Sequence, residues 1–308
     1  MGKIAFLLAG QGAQKPGMGK SFYESSPAAK KLLDSLEMLR PGTLQTCFAG
    51  EQETLNRTIH TQPCLFLADL ACAVAATEAG LSPDMCAGFS LGEWAAAALT
   101  GLLTPEDAFR LVILRAERMD DCALRHPGAM TAVLKLSAEQ VQDLAAEFRE
   151  VYPVNFNAPG QTVVASSRDE VEAFEARVKQ AGGRAMRLKV SGAFHSPYME
   201  DARQALSDAL EGVGLREAQI PLYANLTAEP YNKDVAREWL SRQAASPVQW
   251  QRTIEAMLRQ GAETFVELGP GATLTGLGRR MAPEKTWINV EDSEGLNKAL
   301  ETVRRNAC

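Results

Sequence analysis

Apolar and polar positions alternate in blocks along this chain, short continuous apolar runs separated by amphipathic stretches, as buried strands between helices would read. Ile4 to Ala9 is one such run and breaks on Gly10-Gln11-Gly12-Ala13-Gln14. Gln62 to Ala79 is apolar on nearly every face, which predicts a long core helix stopped by Gly80. Met85-Cys86-Ala87 reads as a short buried strand. It leads through Gly88-Phe89-Ser90-Leu91-Gly92 into the helical run Glu93 to Ala98. Thr104 caps the next helix, with Pro105 at its first position, Glu106 and Asp107 in its first turn, and a stripe of Phe109, Val112, Ile113, Ala116 and Met119.

The pattern changes in the middle. Met130 to Leu136 predicts a strand, and Ser137 with Gln140 makes a capping box for a helix with Val141, Leu144, Ala145 and Phe148 on one face. Strands Val151 to Phe156 and Thr162 to Ala165 flank a Pro159-Gly160 turn. Ser167 with Glu170 suggests a second capping box, before a helix lined by Val171, Phe174 and Val178. After Gly182-Gly183, Ala185 to Val190 alternates as a strand, with Met186, Leu188 and Val190 opposing Arg187 and Lys189. This β-α-β-β-α-β order is that of a split ferredoxin-like unit, set within a larger α/β body. Helices and short strands then resume, including Thr264 to Leu268 before Gly269-Pro270-Gly271.

Composition narrows the class. The 308 residues are 46% hydrophobic and 23% charged, which excludes disordered, collagenous and low-complexity chains. The net charge of −6 argues against a surface given over to nucleic acid. Cys47, Cys64, Cys72, Cys86, Cys122 and Cys308 are scattered with no CxxC pair, the usage of reduced cytoplasmic thiols rather than of a disulfide frame or a metal site. No apolar run reaches the roughly 18 residues of a membrane span, and Ile4 to Ala9 is shorter than a signal-peptide core. The first glycine loop is not a nucleotide cradle. Lys15 stands where a dinucleotide fingerprint wants a small residue, and Gln14 where a P-loop wants glycine.

One motif carries chemistry. Gly88-Phe89-Ser90-Leu91-Gly92 is a GxSxG between a buried strand and a helix, a turn that presents its serine at a helix N-terminus, where amides favour an oxyanion. A serine nucleophile needs a base, and the chain has three histidines. His60 and His126 lie in polar loop sequence. His195 follows a strand end and precedes Ser196-Pro197, a helix start that favours the neutral imidazole. No acidic residue between Ser90 and His195 stands in a recognisable setting; a dyad oriented by a backbone carbonyl would serve equally. Arg115 borders the apolar stripe of its helix, where a guanidinium either binds a carboxylate in bidentate fashion or snorkels to solvent.

Taken together, Gly10-Gln11-Gly12-Ala13-Gln14, Thr61-Gln62-Pro63, Gly88 to Glu93, Arg115, Gly128-Ala129-Met130, Asn155-Phe156-Asn157, Gly192 to Ser196, Pro247-Val248-Gln249-Trp250 and Glu267 to Gly271 resemble the malonyl-CoA:acyl carrier protein transacylases, in family order across about residues 4 to 280. The resemblance implies an α/β-hydrolase-like body over 1–127 and 191–308, and a ferredoxin-like subdomain over 128–190. By it, Ser90 is the acylated nucleophile and His195 the base. The amides of Gln11 and Leu91 form the oxyanion hole, Arg115 takes the malonyl carboxylate, and the carbonyl of Gln249 orients His195. Phe194, with Leu91, fits the malonyl-selective pattern. Malonyl-CoA and acyl carrier protein are the implied partners, with no nucleic acid and no membrane. No cofactor or metal is implied, the CoA thioester being a substrate, and the implied protein is a cytoplasmic monomer of fatty acid synthesis. A polyketide acyltransferase, or an acyl hydrolase on the same scaffold, are the alternatives. Phe89 departs from the family, which more often has histidine there, and Ser166 and Lys135 replace commoner glycines. Arg279-Arg280 or Arg184, Arg187 and Lys189 are candidate docking surfaces for an acidic carrier protein.

Overall fold

The computed structural model describes residues 2–190 and 192–307; Ser191, at the expected return into the larger body, and Cys308 lie outside them. The strands are β1 (Lys3–Leu8), β2 (Met85–Gly88), β3 (Gly128–Leu134), β4 (Val151–Ala158), β5 (Gln161–Ser167), β6 (Arg184–Arg187), β7 (Leu222–Tyr223), β8 (Ala262–Leu268) and β9 (Thr286–Val290). They form two sheets, a five-stranded one in the order β7-β2-β1-β8-β9 and a four-stranded one in the order β4-β5-β3-β6.

The larger sheet is parallel throughout. Its central strand β1 is covered on both faces: Phe6 and Leu8 enter one apolar cluster, Ala5 and Leu7 the other. That is why its sequence is a continuous apolar run rather than an alternation. The register matters for function. Leu8 pairs with both Gly88 and Leu268, so β1, β2 and β8 end on one edge and release their loops side by side. Phe89 N–H donates to the Leu8 carbonyl (3.0 Å) and Ala9 N–H to that of Leu268 (3.2 Å), which extends the match into the loops. The carboxyl edge of a parallel sheet is where such folds gather ligands.

The long helix is Thr58–Glu78, starting earlier than the apolar run suggested and passing through Pro63. Among the described residues it alone is long and apolar enough to cross a bilayer, against the expectation that no segment would be. Protein covers it instead: 83% of its apolar window is buried, so it serves as a core helix.

The smaller sheet is antiparallel and has the predicted β-α-β-β-α-β order, with helices Ala138–Ala145 and Val171–Gln180 sharing an apolar cluster with Val133, Val151 and Val164 of the strands. The Ser137–Gln140 capping box closes in both halves. The second does not. Glu170 N–H reaches Ser167 Oγ (3.3 Å), but the Glu170 carboxylate accepts from the amides of Arg149 (3.2 Å) and Glu150 (2.7 Å), pinning the turn before β4. The last strand is also shorter than predicted. It ends at Arg187; Leu188 N–H still donates to the Met130 carbonyl (2.8 Å), and Leu188 and Val190 line a cavity beside Ser90.

Of the candidate docking cations, Arg187 pairs with Glu175 (2.7 Å), Arg279 donates to the Trp287 carbonyl (3.1 Å) and Arg280 to Gln161. Cys47, Cys64, Cys72, Cys86 and Cys122 are free and buried, and burial pushes the Cys72, Cys86 and Cys122 thiols up.

Candidate active site

Ser90 sits between β2 and helix Leu91–Leu99 with φ 51° and ψ −101°, left-handed backbone that a non-glycine residue adopts only when its surroundings hold it there. Two kinds of contact do so. The flanking glycines remove volume: a Cβ on Gly88 would lie 1.9 Å from the Gly92 carbonyl carbon, and one on Gly92 2.3 Å from the Leu8 oxygen. Side chains then bind both ends of the serine's backbone. Ser90 N–H donates to Asn225 Oδ1 (2.7 Å), and its carbonyl accepts from Gln243 Nε2 (2.6 Å).

The Ser90 hydroxyl lies 2.7 Å from His195 Nε2. On the far side of the ring, Nδ1–H donates to the carbonyls of Gln243 (3.0 Å) and Ser246 (3.1 Å), which fixes the tautomer with Nε2 free to accept. The orienting carbonyl is therefore not that of Gln249. That oxygen is taken by the first turn of helix Trp250–Arg259, where it accepts from Thr253 N (2.9 Å) and Thr253 Oγ1 (3.1 Å), and the Gln249 side chain lines a separate groove of about 700 Å³. His195 is itself left-handed (φ 62°), held by its N–H to the Ala244 carbonyl (3.1 Å). Its pKa is lowered to about 4, first by burial and then by the positive charge of Arg115. Ser196 caps the turn that follows, and Pro197–Met199 is a 3₁₀ turn that runs directly into helix Glu200–Glu211, so the expected helix start is present; burial is the largest cause of the lowered pKa. His126 stacks on Tyr198 with ring centres 6.0 Å apart, outside the site.

Arg115 is brought into the site and is only 1% exposed. Its Nη1 donates to Gln62 Oε1 (2.7 Å), and its Nη2 to Ser90 Oγ (3.0 Å) and Gln243 Oε1 (3.0 Å). Burial brings its pKa down to about 10, which leaves it charged at neutral pH. Glu93, wholly buried nearby, accepts from Asn225 N–H (3.1 Å), Tyr231 O–H (2.5 Å) and Gln243 Nε2 (2.9 Å). Desolvation raises its pKa to about 7 against those hydrogen bonds. Above Ser90 and His195 is a cavity of about 80 Å³. Gln11, Phe89 and Phe194 line it from the larger sheet's side, and Met130, Asn155 and Leu188 from the smaller unit. Leu91 follows Ser90 as the first residue of its helix, where an N–H has no partner within the helix. The geometry thus unites Ser90, His195, Arg115, Gln11, Leu91 and Phe194, and leaves Gln249 out.

Asn225, Gln243, Ser246 and Tyr231 were not legible as site residues. Gln243 lies 153 positions from the serine whose carbonyl it binds, in a stretch, Arg242-Gln243-Ala244-Ala245, with no local signature.

A serine hydroxyl bonded to a neutral, carbonyl-oriented histidine at the head of a helix is the apparatus of covalent acyl chemistry. The fold and site therefore define a serine acyl enzyme. The chain belongs to the acyl transferase domain family, whose model matches residues 5–300, and is an acyltransferase. It is 36% identical to the malonyl CoA-acyl carrier protein transacylase of Bacillus subtilis, over 99% of this chain and 98% of that one. Among solved structures, the corresponding transacylase of Clostridium perfringens superposes with TM-score 0.95 at 32% identity, covering 99% and 98%. A type II PKS acyl-carrier protein in complex with its malonyl-transacylase gives TM-score 0.93 at 33% identity, covering 97% and 99%.

Proposed function

We propose that this protein moves a malonyl group from malonyl-CoA to the phosphopantetheine thiol of an acyl carrier protein, in two steps through an ester on Ser90, and so supplies fatty acid synthesis. His195 Nε2 takes the Ser90 proton as Oγ attacks the thioester carbonyl. The oxygen that becomes negative is received by the Gln11 and Leu91 N–H groups. The C–S bond then breaks, and the departing sulfur takes the proton back from His195. The carrier thiol repeats the sequence in reverse. The imidazolium formed in each half-reaction keeps its Nδ1–H on the carbonyls of Gln243 and Ser246, dipoles that suit a cation.

The observation that carries the malonyl assignment is Arg115, a buried cation 3.0 Å from the nucleophile. A plain fatty acyl group offers that buried cation no partner, whereas a free carboxylate pairs with it in bidentate fashion. We assign residues 1–127 and 191–308 to an α/β-hydrolase-like body and 128–190 to a ferredoxin-like insert, so that the acyl cavity lies between the two. The CoA thioester enters as substrate and no cofactor takes part. We take it to act in the cytoplasm as a monomer.

The test mixes the protein with malonyl-, acetyl- or methylmalonyl-CoA and follows intact mass and free CoA, with and without carrier protein. A malonyl adduct that disappears in Ser90→Ala and passes to carrier protein is the expected result. Release of CoA with only free malonate would make the protein a hydrolase and overturn the proposal.

A further inference from the structure

Gln243 hydrogen-bonds to Ser90, His195 and Arg115 together. Its Nε2 donates to the Ser90 carbonyl (2.6 Å), Glu93 Oε2 (2.9 Å) and Asn225 Oδ1 (3.4 Å). Its Oε1 accepts from Arg115 Nη2 (3.0 Å) and Trp94 Nε1 (3.3 Å). Its main-chain oxygen accepts from His195 Nδ1 (3.0 Å). The neighbours leave the amide no choice of orientation. Guanidinium and indole N–H groups only donate, whereas a main-chain carbonyl and an ionised carboxylate only accept. The strongest acceptor among them is Glu93, buried and held from its other oxygen by Tyr231 O–H (2.5 Å) and Asn225 N–H (3.1 Å).

Acylation changes what Arg115 has left. Ser90 Oγ becomes an ester oxygen, a poor acceptor, and gives up its bond from Nη2. Gln62 and Gln243 are then the protein contacts that set the guanidinium plane. Of its five N–H groups, Nε–H is without a protein partner among the described residues and is buried, so it is free for an incoming carboxylate.

We infer that Glu93 and Gln243 are positioning residues for acyl selectivity: Glu93 locks the Gln243 amide, and the locked Oε1 aims Arg115 at the acyl group on Ser90. This rests on the reading of Arg115 as receptor for the malonyl carboxylate. Glu93→Gln loosens the lock, because a neutral amide satisfies Gln243 in either orientation and leaves only the Arg115, Trp94, Ser90 and Asn225 contacts to hold it. A flipped Gln243 would turn its NH₂ toward Arg115 and push the guanidinium away.

The experiment measures kcat and KM for transfer from malonyl-CoA and acetyl-CoA in wild type, Glu93→Gln, Gln243→Met and the double variant, with Ser90 acylation followed by intact mass. Both variants also disturb the Ser90 turn, but losses common to the two acyl groups cancel in the ratio of their kcat/KM values. Gln243→Met is expected to lower the malonyl-to-acetyl ratio about ten- to a hundredfold, the weight of one hydrogen bond to a charged group, and Glu93→Gln to lower it by less. The double variant is expected to lose no more than the larger single loss, because Glu93 acts through Gln243. Ratios unchanged in the single variants, while Arg115→Ala loses selectivity, would overturn the inference, as would additive losses in the double variant. If Glu93→Gln does not fold, Tyr231→Phe takes its place. It keeps the carboxylate but releases one of its oxygens, and it should move the ratio in the same direction by less; no movement would overturn the inference equally. A wild-type protein that forms no malonyl adduct would sink the functional reading itself, a distinct result.

Discussion

Acid should inactivate this enzyme late. The base is His195, and only its neutral form accepts the Ser90 proton, so kcat/KM falls as the free enzyme's imidazole is protonated. An ordinary histidine, titrating at about 6.5, would be roughly one-tenth neutral at about pH 5.5. With its pKa lowered to about 4, His195 is almost wholly neutral there. The His195 limb of kcat/KM for malonyl-CoA should therefore have its half-point near 4, and any change between about pH 8 and 5.5 belongs to Glu93, whose pKa is raised to about 7. Two further outcomes follow from the causes of the shift. Burial, the larger cause, remains in Arg115→Ala while the cationic neighbour goes, so the half-point should rise in that variant without reaching the ordinary value. In the complex the malonyl carboxylate neutralises Arg115, so the half-point in kcat should lie above that in kcat/KM. The same shift weakens the fold in acid. Between pH 6.5 and about 4 the unfolded chain binds a proton that the native imidazole refuses, so stability falls as pH falls, by about 3 kcal/mol in all. Acylation should for that reason be read by rapid quench and intact mass after a brief pH jump from neutral stock. A half-point in kcat/KM near 6.5 that persists in Glu93→Gln would refute the argument that burial and Arg115 keep the imidazole neutral.

Other predictions concern single side chains. Arg115→Ala should lower malonyl transfer relative to acetyl by the 2–5 kcal/mol typical of a truncated buried charge pair, about thirtyfold or more in the kcat/KM ratio; an unchanged ratio would remove Arg115 from the carboxylate site. Asn225→Leu strands the Ser90 N–H and the Gly88 carbonyl, which Asn225 now binds at 2.7 and 2.6 Å. Urea unfolding should show a loss of about 2–5 kcal/mol, and a loss below about 0.5 kcal/mol would mean the turn holds itself. Asp69 is fully buried in the long core helix with neither carboxylate oxygen partnered among the described residues, and burial raises its pKa well above the ordinary value. The native state therefore keeps a proton that the unfolded chain releases, and stability drains away as pH rises through the carboxylate range. Asp69→Asn should gain on wild type by up to about 1.4 kcal/mol per pH unit from about pH 4 upward until the native group ionises, read by thermal melts at several pH values; a gap independent of pH would sink this.

Much of the molecule was legible because the relevant forces act over a few residues. The apolar run of β1, the glycines two before and two after Ser90, and the Ser137–Gln140 box are each decided by neighbours within a turn, and each appears where the pattern put it. The second box failed because Glu170 found better donors in the amides of Arg149 and Glu150, some twenty residues back. The strand β6 stops short where Leu188 and Val190 join a cavity lined also by Gln11, Phe89 and Ser90, residues distant in sequence.

By itself the sequence determined the local apparatus: a serine on a strained strand-to-helix turn, a histidine before a capped turn, an arginine at the edge of an apolar stripe. It also determined the β-α-β-β-α-β unit, since periodicity and capping are short-range. Only the tertiary structure decided how these parts work together. It chose the Gln243 and Ser246 carbonyls over that of Gln249, made His195 a neutral base by burying it beside a cation, and placed one glutamine amide between Arg115, Glu93 and the nucleophile. Those outcomes depend on desolvation and on partners 48 to 153 positions apart, which no local pattern encodes.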